Sequence, residues 1–237
     1  MMKVASYNIH KGVGGDRRCD PARIMDVLGE LDADIVALQE VDRRFGTRAR
    51  IIPDTLIERD GWQVVGGRTR SASMGWHGNA ILVRSSAVVS AGATIHLPSL
   101  EPRGAVSADV ELTGAAVRVV GMHLDLSGLW RRRQAAAILA HIAEDPRSLP
   151  SILMGDLNEW SSHSGCLRDF ARDHHFAATG PTFHAKRPVG RLDRIMVSRS
   201  MPIVDCGVLT SATARKASDH LPIWAVIDPA RAPRDDV

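Results

Sequence analysis

At 237 residues, with 30 Lys and Arg set against 27 Asp and Glu, the chain carries a formal charge of only +3. That length suits one large domain and buries enough surface to fold without a covalent or metal staple, while the mild charge permits a phosphate-bearing partner without demanding one. Cys19, Cys166 and Cys206 show no CxxC pairing, which excludes a disulfide framework or zinc ribbon, no run reaches the ~20 apolar residues of a membrane span, and the N-terminus has no signal-peptide core, so a cytoplasmic monomer without stable membrane insertion is expected.

Val- and Ile-rich runs predict strands at Lys3–Tyr7 and Asp34–Leu38. Between them, Asp20 and Pro21 form a good helix start, followed by Ile24, Val27, Leu28 and Leu31 at three- and four-residue steps. A short helix near Pro53–Arg59 leads into strands at Trp62–Val65, Asn79–Val83, Ala87–His96, Ala105–Leu112 and Ala116–Met122. A longer helix is predicted over Leu129–Ala143, where Ala135, Ile138, Leu139 and Ile142 form one stripe. The strand Ser151–Met154, a short helix at Gly165–Arg172, and strands at Leu192–Val197, Ile203–Leu209 and His220–Ile227 complete the pattern. The domain is expected over residues 1–228, with a frayed polar tail at 229–237. Because several strands follow one another without a helix, an α+β sandwich of mixed sheets is favoured over a doubly wound parallel sheet.

Polar residues cluster where these strands end. Asn8 follows Val4–Tyr7, Glu40 follows Ile35–Gln39, His123 follows Val117–Met122, and Asp156 with Asn158 follows Ile152–Met154. Asp193 and the pair Asp219-His220 instead precede their strands. In antiparallel pairing the start of one strand lies beside the end of its neighbour, so all of these groups can share one sheet edge. Glu40, with Asn8 and Asp219, offers the hard oxygen ligands that Mg²⁺ or Mn²⁺ prefers. Asp156 can orient or deprotonate a water, Asn158 can donate to the nucleophile or a phosphoryl oxygen, and Asp193 is the candidate to orient His220.

At these residues the chain resembles the endonuclease/exonuclease/phosphatase superfamily of DNase I-like enzymes. The matching segments are SYNIH at Asn8, LQEVD at Glu40, HGNAIL at His77 and Asn79, EPRGA at Arg103, GMHLD at His123, GDLN at Asp156 and Asn158, LDRIMVS at Asp193, and SDHLP at Asp219 and His220. Their order along nearly the whole chain makes the set specific where a single tetrapeptide would be weak. The resemblance implies a four-layer α-β-β-α sandwich of mainly antiparallel sheets and Mg²⁺-dependent phosphoester hydrolysis. It also implies the metal on Glu40, Asp156 at the water, His220 paired with Asp193 at the phosphate, and an imidazole at His123 that serves some members as general acid. Arg103, His77 and Asn79 are the expected lining of the substrate cleft.

The continuation Ile9-His10-Lys11-Gly12 departs from exonuclease III-type members, making abasic-site cleavage less favoured, and Arg194 stands where a tyrosine is more usual. His10 and Lys11 are placed to touch substrate. Arg17, Arg18, Arg43, Arg44, Arg48, Arg50, Arg68, Arg70, Arg187 and Arg191 fall in loops expected to rim the same edge, as do Trp76, Trp130 and Trp160; Arg131, Arg132 and Arg133 oppose a helix macrodipole. A nuclease or other phosphodiesterase is the first expectation, a phosphatase or lipid (sphingomyelinase-like) phosphodiesterase the alternative, and a silent phosphate-binding module the third. The partner is then a phosphoester, with nucleic acid one form of it.

Overall fold

Alternation along the strands decides which residues meet between the sheets. In β1 (Met2–Asn8), Met2 and Val4 point into the central core, whereas Ala5 and Tyr7 face helices. The same period of two places Ile35 and Ala37 of β2 (Ile35–Gln39) inward, with Val36 and Leu38 outward. The structure, a computed structural model, describes residues 1–229.

The remaining elements, in chain order, are α1 (Pro21–Leu31, preceding β2), α2 (Asp54–Arg59), β3 (Trp62–Val65), β4 (Ala80–Arg84), β5 (Val88–His96), β6 (Gly104–Leu112) and β7 (Ala115–His123). They are followed by α3 (Gly128–Ala143), β8 (Ser151–Asp156), α4 (Cys166–Phe170), β9 (His174–Phe176), β10 (Asp193–Ser198), β11 (Ile203–Val208), α5 (Ala212–Ala217) and β12 (Ile223–Ile227). One sheet has the order β11-β12-β1-β2-β4-β3 and the other β5-β6-β7-β8-β10-β9. Within them β1 and β2 are parallel, as are β7 and β8, and the other named pairs are antiparallel. Apolar side chains of both sheets fill the space between them. On the outer faces, α1, α2 and α5 pack on the first sheet and α3 and α4 on the second, giving the expected four layers.

The α1 start is as predicted: the Asp20 side chain accepts from Arg23 N at 3.1 Å, and Pro21 occupies the first turn. Two elements had no visible pattern. β9 is three residues long and carries two histidines, and α5 spans six residues, too short to display a period, although Ser211 caps it by accepting from Ala214 N. The last strand begins at Ile223 rather than His220, because Pro222 offers no N–H and His220 pairs instead with Phe183. The expected tail lies, from residue 230 onward, outside the described residues.

Candidate active site

The inward positions that are apolar at mid-strand become polar at one edge. Along β7 the inward series Val117, Val119 and Gly121 ends in His123, and along β8 the series Ile152 and Met154 ends in Asp156. β10 enters at the same edge with Asp193, ahead of Ile195 and Val197, and β1 leaves there with Asn8. Pairing register then fixes the neighbours, with His123 and Asp193 each opposite Asp156 on its two flanking strands. Gly155 is required for this approach, since a Cβ there would lie 1.9 Å from the Met122 carbonyl oxygen.

Asp156 sits at the centre. It accepts from Asn8 Nδ2 at 3.0 Å, across the gap between the sheets, and from the Asn158 backbone N–H at 2.9 Å. Two imidazoles face the same Oδ2, His123 Nε2 at 3.4 Å and His220 Nε2 at 3.7 Å. On its other side His220 Nδ1 donates to Asp193 Oδ2 at 2.8 Å, and the Thr182 hydroxyl donates to that same oxygen at 2.5 Å. The Phe183 ring packs against His220, with centroids 4.9 Å apart. The Ser218 hydroxyl donates to the Asn8 carbonyl at 2.8 Å and accepts from the His220 backbone N–H at 3.3 Å, so the β12 approach is tied to the end of β1.

The two imidazoles are held in opposite states. Burial lowers His123 to about 4, with the Arg103 guanidinium adding to the fall and Asp156 and Glu40 opposing it. Arg103 Nη1 lies 2.7 Å from His123 Nε2, a contact in which a neutral ring must accept. Burial also works against a charge on His220, but Asp193, together with Asp156 and Asp219, outweighs it and lifts the group to about 10. His220 is therefore an imidazolium at neutral pH, and His123 is not.

Glu40 leaves β2 in the left-handed region, at φ 57°. Burial would raise its carboxyl, but His123, the Lys11 ammonium and His10 more than offset that and hold it below the usual range. Lys11 pairs directly with Glu40, and His10 Nδ1 stands 3.7 Å from Asp219 Oδ1. His10 and Lys11 themselves lie at φ 45° and 57°, so one tight turn (His10–Gly12), unusual for residues with side chains, aims a basic group at each of these carboxylates.

A cleft beside Glu40 is lined by Lys11, Arg43, Arg44, Arg48, His77, Arg103 and His123, among others. Asn79, expected in that lining, is fully buried, and its amide donates to the carbonyls of Gly104, Trp76 and His77, so it holds the wall rather than facing the cleft. Arg131, one of the three arginines set against the α3 macrodipole, is also buried: it binds Glu159 Oε2 at 3.1 Å and donates to the Asp125 and Leu126 carbonyls, satisfying loop ends and not a ligand. Arg50 likewise pairs with Asp54 and donates to Ala72 and Ser73 carbonyls. Arg194 turns to the carbonyls of Arg191 and Asp193, leaving the Asp193 carboxylate to His220. Ser218 stands in the SDHLP segment but has no role assigned from sequence, and Thr182 and Phe183 lie in a loop without strand or helix period, where no local pattern marks them.

Asp156, Asp193 and His220 present ligand-capable atoms within 4.8 Å of one another. Asp193 Oδ2 is already engaged by His220 and Thr182, whereas Glu40 offers a half-buried carboxylate held below the usual range, a donor that fits a hard divalent cation.

A two-sheet sandwich whose central strand ends gather carboxylates, carboxamides and imidazoles is a DNase I-like fold. The sequence profile of the Endonuclease/Exonuclease/phosphatase family matches residues 5–220, and the chain belongs to that family. Escherichia coli strain K12 has a relative, the uncharacterized protein YbhP, 31% identical over 244 residues and covering 95% of each chain. Among solved structures, an endonuclease/exonuclease/phosphatase from Bacteroides vulgatus superposes with a TM-score of 0.76 at 19% identity, over 96% of this chain and 98% of that one. A mannosyl-6-phosphatase from Bacteroides thetaiotaomicron gives 0.74 at 20% identity, over 96% and 100%.

Proposed function

We propose that the protein is a divalent-metal-dependent hydrolase of phosphoester bonds, acting first on phosphodiesters. One observation carries the reading: a single carboxylate, Asp156, faces two imidazoles at 3.4 and 3.7 Å, one of them bonded to Asp193, while two amide donors fix it. Such a group can take the proton of an attacking water, while the His220 imidazolium, oriented by Asp193, faces the developing negative charge. Asn158 completes the surround, although its side-chain amide donates to the Leu124 carbonyl at 3.0 Å, so its backbone N–H serves Asp156 directly. Neutral His123, accepting from Arg103, positions that guanidinium toward the cleft and is poorly suited to act as a general acid.

Glu40, with Asn8 and Asp219, would hold Mg²⁺ or Mn²⁺. An ion held there would supply charge neutralisation to the phosphoryl group and its leaving oxygen. Arg103 and His77 are assigned to substrate from their place in the cleft lining.

A second reading, a phosphodiesterase for esters with an apolar tail, draws on exposed Leu126, Leu129, Trp160 and Val189, which lie in loops and a helix start at the same edge. The test is a panel of plasmid DNA, RNA, a generic phosphodiester, a phosphomonoester and phospholipid, assayed with Mg²⁺, Mn²⁺ or EDTA. Activity is expected with metal and lost in Asp156→Ala and His220→Ala; turnover that persists in both variants, or in EDTA, overturns the mechanism.

A further inference from the structure

A second cleft adjoins the Asp219 carboxylate, and apart from Asp219 its lining is unused by the proposed mechanism. It is lined by Val13, Gly14, Gly15 and Asp219, with the side chains of His10, Arg17, His184 and Lys186 around them. Among the described residues Arg17 and Lys186 have no side-chain hydrogen bond or ion pair, so both cations are available at the cleft they line. The glycines here do not form an amide cradle for phosphate. Gly14 N–H donates to Arg18 O and Gly15 N–H to Lys216 O, both at 3.0 Å. Their role is steric: a Cβ on Gly15 would lie 3.0 Å from Lys186 Cε, and one on Gly14 would lie 2.3 Å from the Lys216 carbonyl oxygen. The bare backbone thus lets the Lys186 stem lie along the loop with its ammonium at the cleft. Any anion bound here meets side-chain cations, with Asp219, faced by His10, as the inner wall.

We infer that this cleft binds a second phosphoryl group of the substrate, one that is not hydrolysed, beside the phosphoester held at Asp156 and His220. Recognition is by paired cations, Arg17 offering a planar fork and Lys186 a point charge, and not by backbone amides. The inference rests on the phosphoesterase reading and deepens it, since it makes the preferred substrate one with two phosphoryl groups. Such a group could belong to a nucleotide chain or to a small bisphosphate, and the two sources share the chemistry that the cleft selects.

The test compares kcat/KM in Mg²⁺ or Mn²⁺ for two matched pairs. One is dithymidylate with and without a terminal phosphate, the other a hexose 1,6-bisphosphate against the 6-phosphate. Wild-type protein is expected to prefer the doubly phosphorylated member of at least one pair by roughly tenfold or more. Arg17→Ala/Lys186→Ala should erase that preference, with Arg17→Lys/Lys186→Arg restoring most of it and thermal melts confirming that both variants fold. The pair that shows the preference identifies the source. Hydrolysis without preference, or preference that survives in the alanine variant, overturns the inference while leaving the phosphoesterase reading intact. Absence of hydrolysis on every substrate, at any metal, overturns the reading on which it rests.

Discussion

His220 and His123 show how two chemically identical rings, both beside Asp156, are driven apart by their second partners. His220 meets Asp193, whereas His123 meets a guanidinium. The consequences for stability have opposite signs. An unfolded His123 takes up a proton near pH 6.5, while the folded one does not until about 4. Stability from this site is therefore complete above about pH 6.5 and falls, by roughly 3 kcal/mol, as pH drops toward 4. His220 keeps its proton in the fold up to about 10, so its contribution is complete below about pH 6.5 and is lost as pH rises through 10. Urea unfolding in EDTA across this range should show both limbs; His123→Gln should flatten the acid limb and His220→Gln the alkaline one. In the activity assay, Asp193→Asn is expected to lower kcat by about 10²-fold, because it removes both the orientation and the counter-charge of the imidazolium.

Lys11 belongs to the same scale. Its ammonium already neutralises Glu40, so a divalent ion bound at Glu40 as proposed would have to displace it. Lys11→Met should tighten Mn²⁺ binding by roughly fivefold, the equivalent of a modest ion pair of about 1 kcal/mol, measured by titration calorimetry. Unchanged or weaker binding would show that Lys11 does not compete.

At the scale of elements, much of the site was legible because its logic is positional. Asn8, His123, Asp156 and Asp193 each occupy the last or first inward place of a strand whose other inward residues are Val, Ile, Met or the small Ser6 and Gly121, and a period of two read from sequence already places them on one face. What alternation cannot convey is side-chain direction after the strand stops. Asn79 and Arg131 carry the right chemistry at the right edge, but local carbonyls claim them. Phe183 and Thr182 lie on a loop whose path is set by pairing with Gly190 and His220, contacts that no local pattern announces. The parallel β7–β8 pair makes its own prediction. Gly155→Ala forces a methyl group against the Met122 carbonyl, so it should cost roughly 1–3 kcal/mol in urea melts and depress activity by shifting Asp156 relative to His123.

Over the whole molecule, the sheets separate stability from chemistry. At the opposite end of β7 from His123, buried Arg118 donates to both oxygens of Asp109, at 2.8 and 2.9 Å, and pairs with Asp145. Five residues of strand place this network about 16 Å from the catalytic edge. Arg118→Met leaves Asp109 with only the exposed Arg147 and should destabilise the fold by roughly 3 kcal/mol. Its kcat/KM should remain within about twofold of wild type at temperatures where it is folded.

The bond from Asn8 to Asp156 spans two sheets that otherwise meet through apolar side chains. Its length is therefore governed by how thick that hydrocarbon filling is, in the way a shim sets the gap between two plates. Trimming a methyl from Ile152, two inward places along β8 from Asp156, is expected to alter the seating of that carboxylate against the opposite wall without touching the site itself.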